Sequence, residues 1–192
     1  MVSHNAEEVS RRLDRLVDEY DPEVIEEREV VSAETFEEYV AAAERGYTGG
    51  GYTWVLRAEP PALSPTMPDA AARAESFPRV LLGFGRGRSG WGPAGGGREA
   101  DETYEEAARR EVCEETGIES SVTDCRTVRS VVSEHETTGD TVHGIWVYFV
   151  GRETGGSLAV QESELHGAAW FGECPDALAE PVAGRPLDPT AW

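Results

Sequence analysis

Three glutamates near the middle of the chain limit its architecture more than any other feature. Glu111, Glu114 and Glu115 fall at i, i+3 and i+4, and a helix gathers residues at that spacing into an arc of roughly 100°. Tyr104, Ala107 and Ala108 lie on the same arc, whereas Glu105, Glu106 and Arg109 lie opposite. A helix over 102–116 therefore turns acids towards the interior of the fold, beside alanines small enough for close approach. Its other charged face is expected to meet water. Carboxylates crowded in this way raise one another's pKa unless a cation sits among them. Their hard oxygen donors favour Mg²⁺ or Mn²⁺ over zinc.

The approach to that helix carries the opposite charge. No acid occurs between Glu75 and Glu99, while Arg79, Arg86, Arg88 and Arg98 all do. The stretch 83–97 also holds eight glycines, which let backbone amides come close to a ligand. A basic, glycine-rich segment leading into a helix N-terminus reads as an anion site. Beside a divalent-metal cluster, it points to a polyphosphate bridged by metal.

Charge elsewhere excludes whole classes of partner. The 192-residue chain has 37 acidic side chains against 17 basic ones, all arginine, for a formal charge of −20. Nucleic acid and anionic membranes both call for a basic face. No apolar run reaches the roughly 18 residues of a membrane span, and the polar start does not resemble a secretory signal. Cys113, Cys125 and Cys174 are too widely spaced for a disulfide framework or a zinc pattern. A reducing cytoplasm is the expected compartment. Acid excess without lysine resembles the proteins of extreme halophiles such as haloarchaea, so a folded chain stabilised by high salt is expected.

Periodicity divides the chain at residue 46. Val9, Leu13, Leu16, Val17 and Tyr20 mark an amphipathic helix over 6–20, ended by Asp21-Pro22. A strand-like Arg28–Val31 and a second helical pattern over 33–45 follow, the latter stopped by Gly46. Residues 1–46 thus read as a small helical extension that caps a cleft or pairs two subunits in a homodimer. Over 47–192, strand patterns at 52–56, 80–84, 122–134, 141–150 and 168–171 surround the helix, with an inserted proline-rich loop at 59–78. Strands mixed with helices without regular alternation predict an α/β domain with a mixed sheet.

Gly96, Glu102, Arg110-Glu111-Val112, Glu114-Glu115 and Gly117-Ile118 match the pattern G-x5-E-x7-R-E-U-x-E-E-x-G-U at all nine fixed positions across 96–118. By these residues the chain resembles the Nudix hydrolases, MutT-like enzymes. Leu81-Leu82, Trp91 and Gly95-Gly96-Gly97 look like the family's lead-in; Ala94 departs from it, standing where members often have proline. The resemblance implies a Nudix-type α/β/α sandwich over roughly residues 47–175. It also implies that Glu111, Glu114 and Glu115 bind Mg²⁺, joined by the Gly95 carbonyl. Arg110 would hold a catalytic glutamate by a salt bridge, and Glu102 would act through the loop–helix junction. The reaction implied is attack by metal-activated water on a nucleoside diphosphate linked to a further group X. The general base is then Glu111 or an acid on a later loop, where Glu164 and Glu162 stand shortly before Trp170-Phe171. Arg86, Arg88 and Arg98 are the candidate phosphate ligands, and Trp91 either stacks on a base or packs against the loop.

The substrate is not legible at this level. Ser133–Glu136 holds neither the proline nor the tyrosine that ADP-ribose- and dinucleoside-polyphosphate-cleaving members tend to place there. The Ser-Gln-Pro-Trp-Pro segment of NADH-cleaving members is absent too. The expected partner is a nucleotide-type small molecule. A catalytically silent nucleotide-sensing module is the alternative, opposed by the presence of every glutamate of the pattern.

Overall fold

The structure is a computed structural model that describes residues 1–59, 77–99, 101–180, 182 and 184–191. In chain order the elements are β1 (Ser3–His4), α1 (Ala6–Tyr20), β2 (Glu23–Val31), α2 (Ala33–Glu44), β3 (Gly49–Arg57) and β4 (Arg79–Gly85). They continue with β5 (Trp91–Gly92), β6 (Ala94–Gly97), α3 (Tyr104–Thr116), β7 (Ile118–His135), β8 (Thr141–Gly156) and β9 (Leu165–Phe171). The proline-rich insertion lies, over 60–76, outside the described residues. Two compact units emerge, and β3, β6, α3, β7 and β8 each run through both.

The first unit comprises Met1–Tyr52, Gly95–Ala108 and Asp124–Phe149, so the N-terminal segment folds together with parts of the later chain. Strand β2 runs parallel to β7 over its full length, from Glu23 opposite Thr127 to Val31 opposite His135. Only its last residues were legible as a strand, because Glu23, Glu26, Glu27 and Glu29 lower its intrinsic β-preference. Tertiary pairing supplies what propensity lacks: Arg129 binds Glu27 and Arg28 binds Glu134 across the two strands. Strand β1 lies parallel to β8, and the Asn5 amide extends that pairing. Its Nδ2 donates to the His143 carbonyl at 2.9 Å, and its Oδ1 accepts the His143 amide at 3.0 Å.

Leu16, Phe36, Tyr104, Val128, Ile145 and Phe149 form the buried interior of this unit. Gly51 allows α3 to lie against β3, since a Cβ there would stand 2.4 Å from the Tyr104 carbonyl oxygen and 3.0 Å from the Ala108 Cβ. The alanines do give close approach, as their place on the arc implied. The opposite side of α3 is less exposed than expected. Arg15 of α1 grips Glu105 with two hydrogen bonds of 2.8 and 3.0 Å, leaving the Glu105 side chain only 16% accessible.

The second unit comprises Thr53–Ala94, Arg109–Thr123 and Val150–Trp192. Here β4 pairs antiparallel with β3, β5 and β9, with a register shift at Phe84/Gly85 on the β9 side. Val55, Leu81, Ala94, Val112 and Ile118 make its core, with Ala168 and Trp170 packed against them. Arg57 stacks its guanidinium 4.0 Å over Trp170 and pairs with Glu153 through two bonds of 2.6 Å. Parallel and antiparallel pairs thus coexist in an α/β fold with a mixed sheet, the expected class.

Candidate active site

The carboxylates of α3 divide by their position on the helix. Glu115 is 7% exposed, the Glu111 side chain 17% and that of Glu114 55%. Burial thus follows the arc, with Glu114 at its edge. Arg110 donates from one Nη to Glu111 at 2.9 Å and to Glu114 at 3.1 Å. The Glu111 carboxyl titrates above the ordinary range. Burial is the main cause, the neighbouring charges of Glu114 and Glu164 act in the same direction, and Arg110 opposes them. A carboxylate perturbed by burial and named charges is a signature of functional sites.

Glu164 comes within electrostatic reach of Glu111 through the backbone of the loop before β9. The last carbonyls of a helix lack intrahelical partners. Here the amides of Ser157, Ala159 and Gln161 donate to the carbonyls of Gly117, Thr116 and Glu115 at 3.1, 2.8 and 2.9 Å. Glu164 and Leu165 then both donate to the Gln161 carbonyl at 3.0 Å, closing a turn that carries Glu164. Arg86 holds the same turn, its amide on the Glu164 carbonyl at 2.8 Å and its Nε on that of Glu162 at 2.5 Å. Gly117 makes the sharp exit from α3 at φ +73°, and a Cβ there would lie 2.5 Å from the Ser157 carbonyl oxygen.

The other residues singled out by sequence separate into different roles. Arg88 is exposed and curls over Gly85 at the tip of the β4–β5 turn. Trp91 packs edge-on against Phe84 and Phe171, at 5.5 and 5.0 Å. Arg98 is 4% exposed, and its guanidinium donates to the carbonyls of Gly46 and Glu102 and to Thr48 Oγ1. Substrate binding would need an accessible cation, whereas Arg98 braces the loop before α3 from within the first unit. Glu102 belongs to that brace, its carboxylate accepting the Glu99 amide at 3.0 Å. Gly95 lies in β6 at φ +152°, where a Cβ would meet the Gly51 carbonyl at 2.3 Å.

Sequence reasoning missed the capping of α3. Thr103 Oγ1 accepts the Glu106 amide at 3.2 Å while Glu106 accepts the Thr103 amide at 2.8 Å. Threonine followed three residues later by glutamate is the signal that would have found it.

Among the described residues, no group of three or more His, Cys, Asp or Glu side chains is set to hold a metal ion. Arg110 takes up both Glu111 and Glu114 instead. The donor set nonetheless suits a hard divalent cation. It offers carboxylate oxygens only, one carboxyl is buried, and another is pushed towards protonation by burial and by two acidic neighbours. A cation would relieve that crowding.

The profile of the NUDIX domain matches residues 75–185, more than half of the chain. No curated protein matches. Among solved structures, a UDP-X diphosphatase is 17% identical with a TM-score of 0.44, covering 72% of this chain, which in turn spans 56% of that protein. The MutT NUDIX hydrolase of Burkholderia pseudomallei is 20% identical with a TM-score of 0.40, over 69% of this chain and 86% of its own. The ORF135 protein of E. coli is 17% identical with a TM-score of 0.35, over 79% and 75%.

Proposed function

The chain belongs to the Nudix family, and on that premise we propose that it hydrolyses the diphosphate linkage of a nucleoside diphosphate derivative with the aid of Mg²⁺ or Mn²⁺. The observation that carries this reading is a largely buried Glu111, held by Arg110 and within electrostatic reach of Glu164 on a loop pinned to the same helix. Glu111, Glu114 and Glu115 would hold the cation. When bound, such an ion neutralises charge on the diphosphate and lowers the pKa of a nearby water.

The chain's own groups do the rest. Arg110 keeps Glu111 in position by its 2.9 Å ion pair. Glu164 accepts the proton of the attacking water, a task worth roughly 100- to 10,000-fold in rate. Arg86 fixes the turn that presents Glu164, and the exposed Arg88 supplies positive charge for phosphate oxygens. We also infer a cytoplasmic, high-salt setting, from the lysine-free charge of −20 and the wide spacing of the three cysteines.

The test is a hydrolysis panel in concentrated KCl with Mg²⁺. It spans nucleoside triphosphates including 8-oxo-dGTP, ADP-ribose, nucleotide sugars and dinucleoside polyphosphates. Glu115→Gln should abolish turnover, because a neutral amide is a poor ligand for a hard cation. Glu164→Gln should lower kcat by about 100-fold or more while leaving the Mg²⁺ dependence in place. A folded protein that binds nucleotides and turns over none would make it a sensing module instead.

A further inference from the structure

The N-terminal segment contributes a strand that is paired along one side only. Among the described residues β2 has β7 as its one strand neighbour, and the two pair over Glu23–Val31 without a register shift. Val31 shows which way the backbone points, since its carbonyl accepts the amide of Glu136, just past β7, at 3.1 Å. The amide and carbonyl of one strand residue point to the same side, and that side alternates along the strand. Ile25, Glu27, Glu29 and Val31 therefore bond towards β7, while Val24, Glu26, Arg28 and Val30 turn their backbone groups outwards. The side chains of these last four share one face of the sheet. All four residues are exposed, Val24 by 38% and Val30 by 66%.

Proteins blunt such an edge by shortness, proline, a bulge or charge. Strand β2 has nine residues, no proline and no bulge, which leaves charge. That charge is mixed in sign, and its order is self-complementary. When a second copy runs antiparallel to β2 about Glu27, Val24 meets the partner's Val30 and Glu26 meets the partner's Arg28. Each such pair exchanges both N–H···O bonds, and each occurs twice across the two-fold axis. The neighbouring registers set Glu26 against Glu26 or Arg28 against Arg28, and like charges directly opposite destabilise a pair. Arg28 already holds Glu134 at 2.7 Å, and its five N–H donors leave room for a second carboxylate. On the axis two Glu27 side chains face each other, each neutralised by its own Arg129 through two hydrogen bonds.

We propose that two copies of this chain associate through β2, antiparallel about Glu27, so that one sheet runs across both, and that Glu26 and Arg28 fix the register. Such a contact is isologous: it uses the open edge of both copies and stops at two. The valines cover each other's exposed apolar surface, and the charges reject every other alignment. Two chains of −20 repel at a distance. Molar salt cuts the screening length to about 3 Å, which removes that repulsion and leaves groups at bonding distance in contact. Strand β2 lies ahead of the domain matched at 75–185, so this contact is something the N-terminal segment adds to it.

The proposal does not depend on hydrolysis, and its test reads mass. Light scattering on the full chain in molar KCl should give a mass that climbs with concentration from 20.9 kDa towards twice that value. Glu26→Arg alone, or Arg28→Glu alone, sets like charges opposite each other at both symmetry-related pairs. Either should raise the dissociation constant by about tenfold or more. An equimolar mixture of the two variants should pair about as tightly as wild type, because each supplies the charge that the other lacks. Amide exchange in the unsubstituted protein keeps the proposal testable if a variant fails to fold. The amides of Val24, Glu26, Arg28 and Val30 should exchange more slowly as protein concentration rises. A mass of 20.9 kDa at every concentration would overturn the proposal, as would exchange at those four amides that ignores concentration. A dimer indifferent to both variants would mean that another face holds it, and a mixture that stays monomeric would mean that this register is wrong.

Discussion

Single residues of the site differ in how much of their role could be read in advance. The helical arc turned all three glutamates inwards; Glu115 and Glu111 are largely buried, whereas Glu114, at the edge of the arc, is 55% exposed. Arg98 could not be assigned that way. Its fate depends on the carbonyls of Gly46 and Glu102 converging around it, which no local pattern records. Counted as charge it belonged with Arg86 and Arg88; counted as a hydrogen-bond donor it belongs to the loop. Gly51 is another position whose role is purely spatial. Gly51→Ala should destabilise the protein by about 1–3 kcal/mol, because the new methyl would stand 2.4 Å from a helix carbonyl and force α3 outwards. A shift of the denaturation midpoint measures this, and an unchanged midpoint would mean that α3 does not rest on β3.

At the level of elements, the sequence resolved what has side-chain periodicity and missed what is built from backbone. Helix α1 was readable from its apolar spacing, and α3 from its arc. Strand β6, Ala94–Gly97, was not, because three consecutive glycines leave no alternation to detect. The seam between α1 and α3 yields a prediction with a definite sign. Burial alone would raise the Glu105 pKa, but the hydrogen bond and charge of Arg15 outweigh it and hold the carboxyl below its ordinary range. A depressed carboxylate contributes stability above the unfolded-state pKa and loses it as pH falls through the folded one. Arg15→Ala should therefore cost about 1 kcal/mol at pH 7, a modest figure because Arg15 is partly solvated. The difference from wild type should shrink as pH drops below about 4.5. Chemical denaturation of both proteins from pH 7 to pH 3 checks it; a gap that stays constant would show that the pair contributes nothing electrostatic.

For the whole molecule, the dominant quantity is the charge of −20 spread over 192 residues. At low ionic strength the screening length grows to about 30 Å and like charges across the surface repel one another. The melting temperature should rise steeply between dilute buffer and molar KCl, and with NaCl much as with KCl if screening is the cause. A melting temperature indifferent to salt would remove the halophilic inference. Whole-molecule chemistry supplied the expectations about partner classes, since charge sums need no geometry. It was the least legible for the N-terminal segment, whose strand β2 is shaped by its partner β7 rather than by its own residues.

The segment from Ser157 to Glu164 works as a ruler. Its side chains are almost all exposed, and what ties it to α3 is a run of amides at alternate positions, 157, 159 and 161. Substitution along it should therefore be cheap, and a change of length costly. One residue inserted or removed would shift that alternation by half a repeat, leaving carbonyls at the end of α3 without donors and swinging Glu164 away from Glu111. Relatives that work the same way are expected to drift freely in composition here while keeping the count from helix end to acid unchanged.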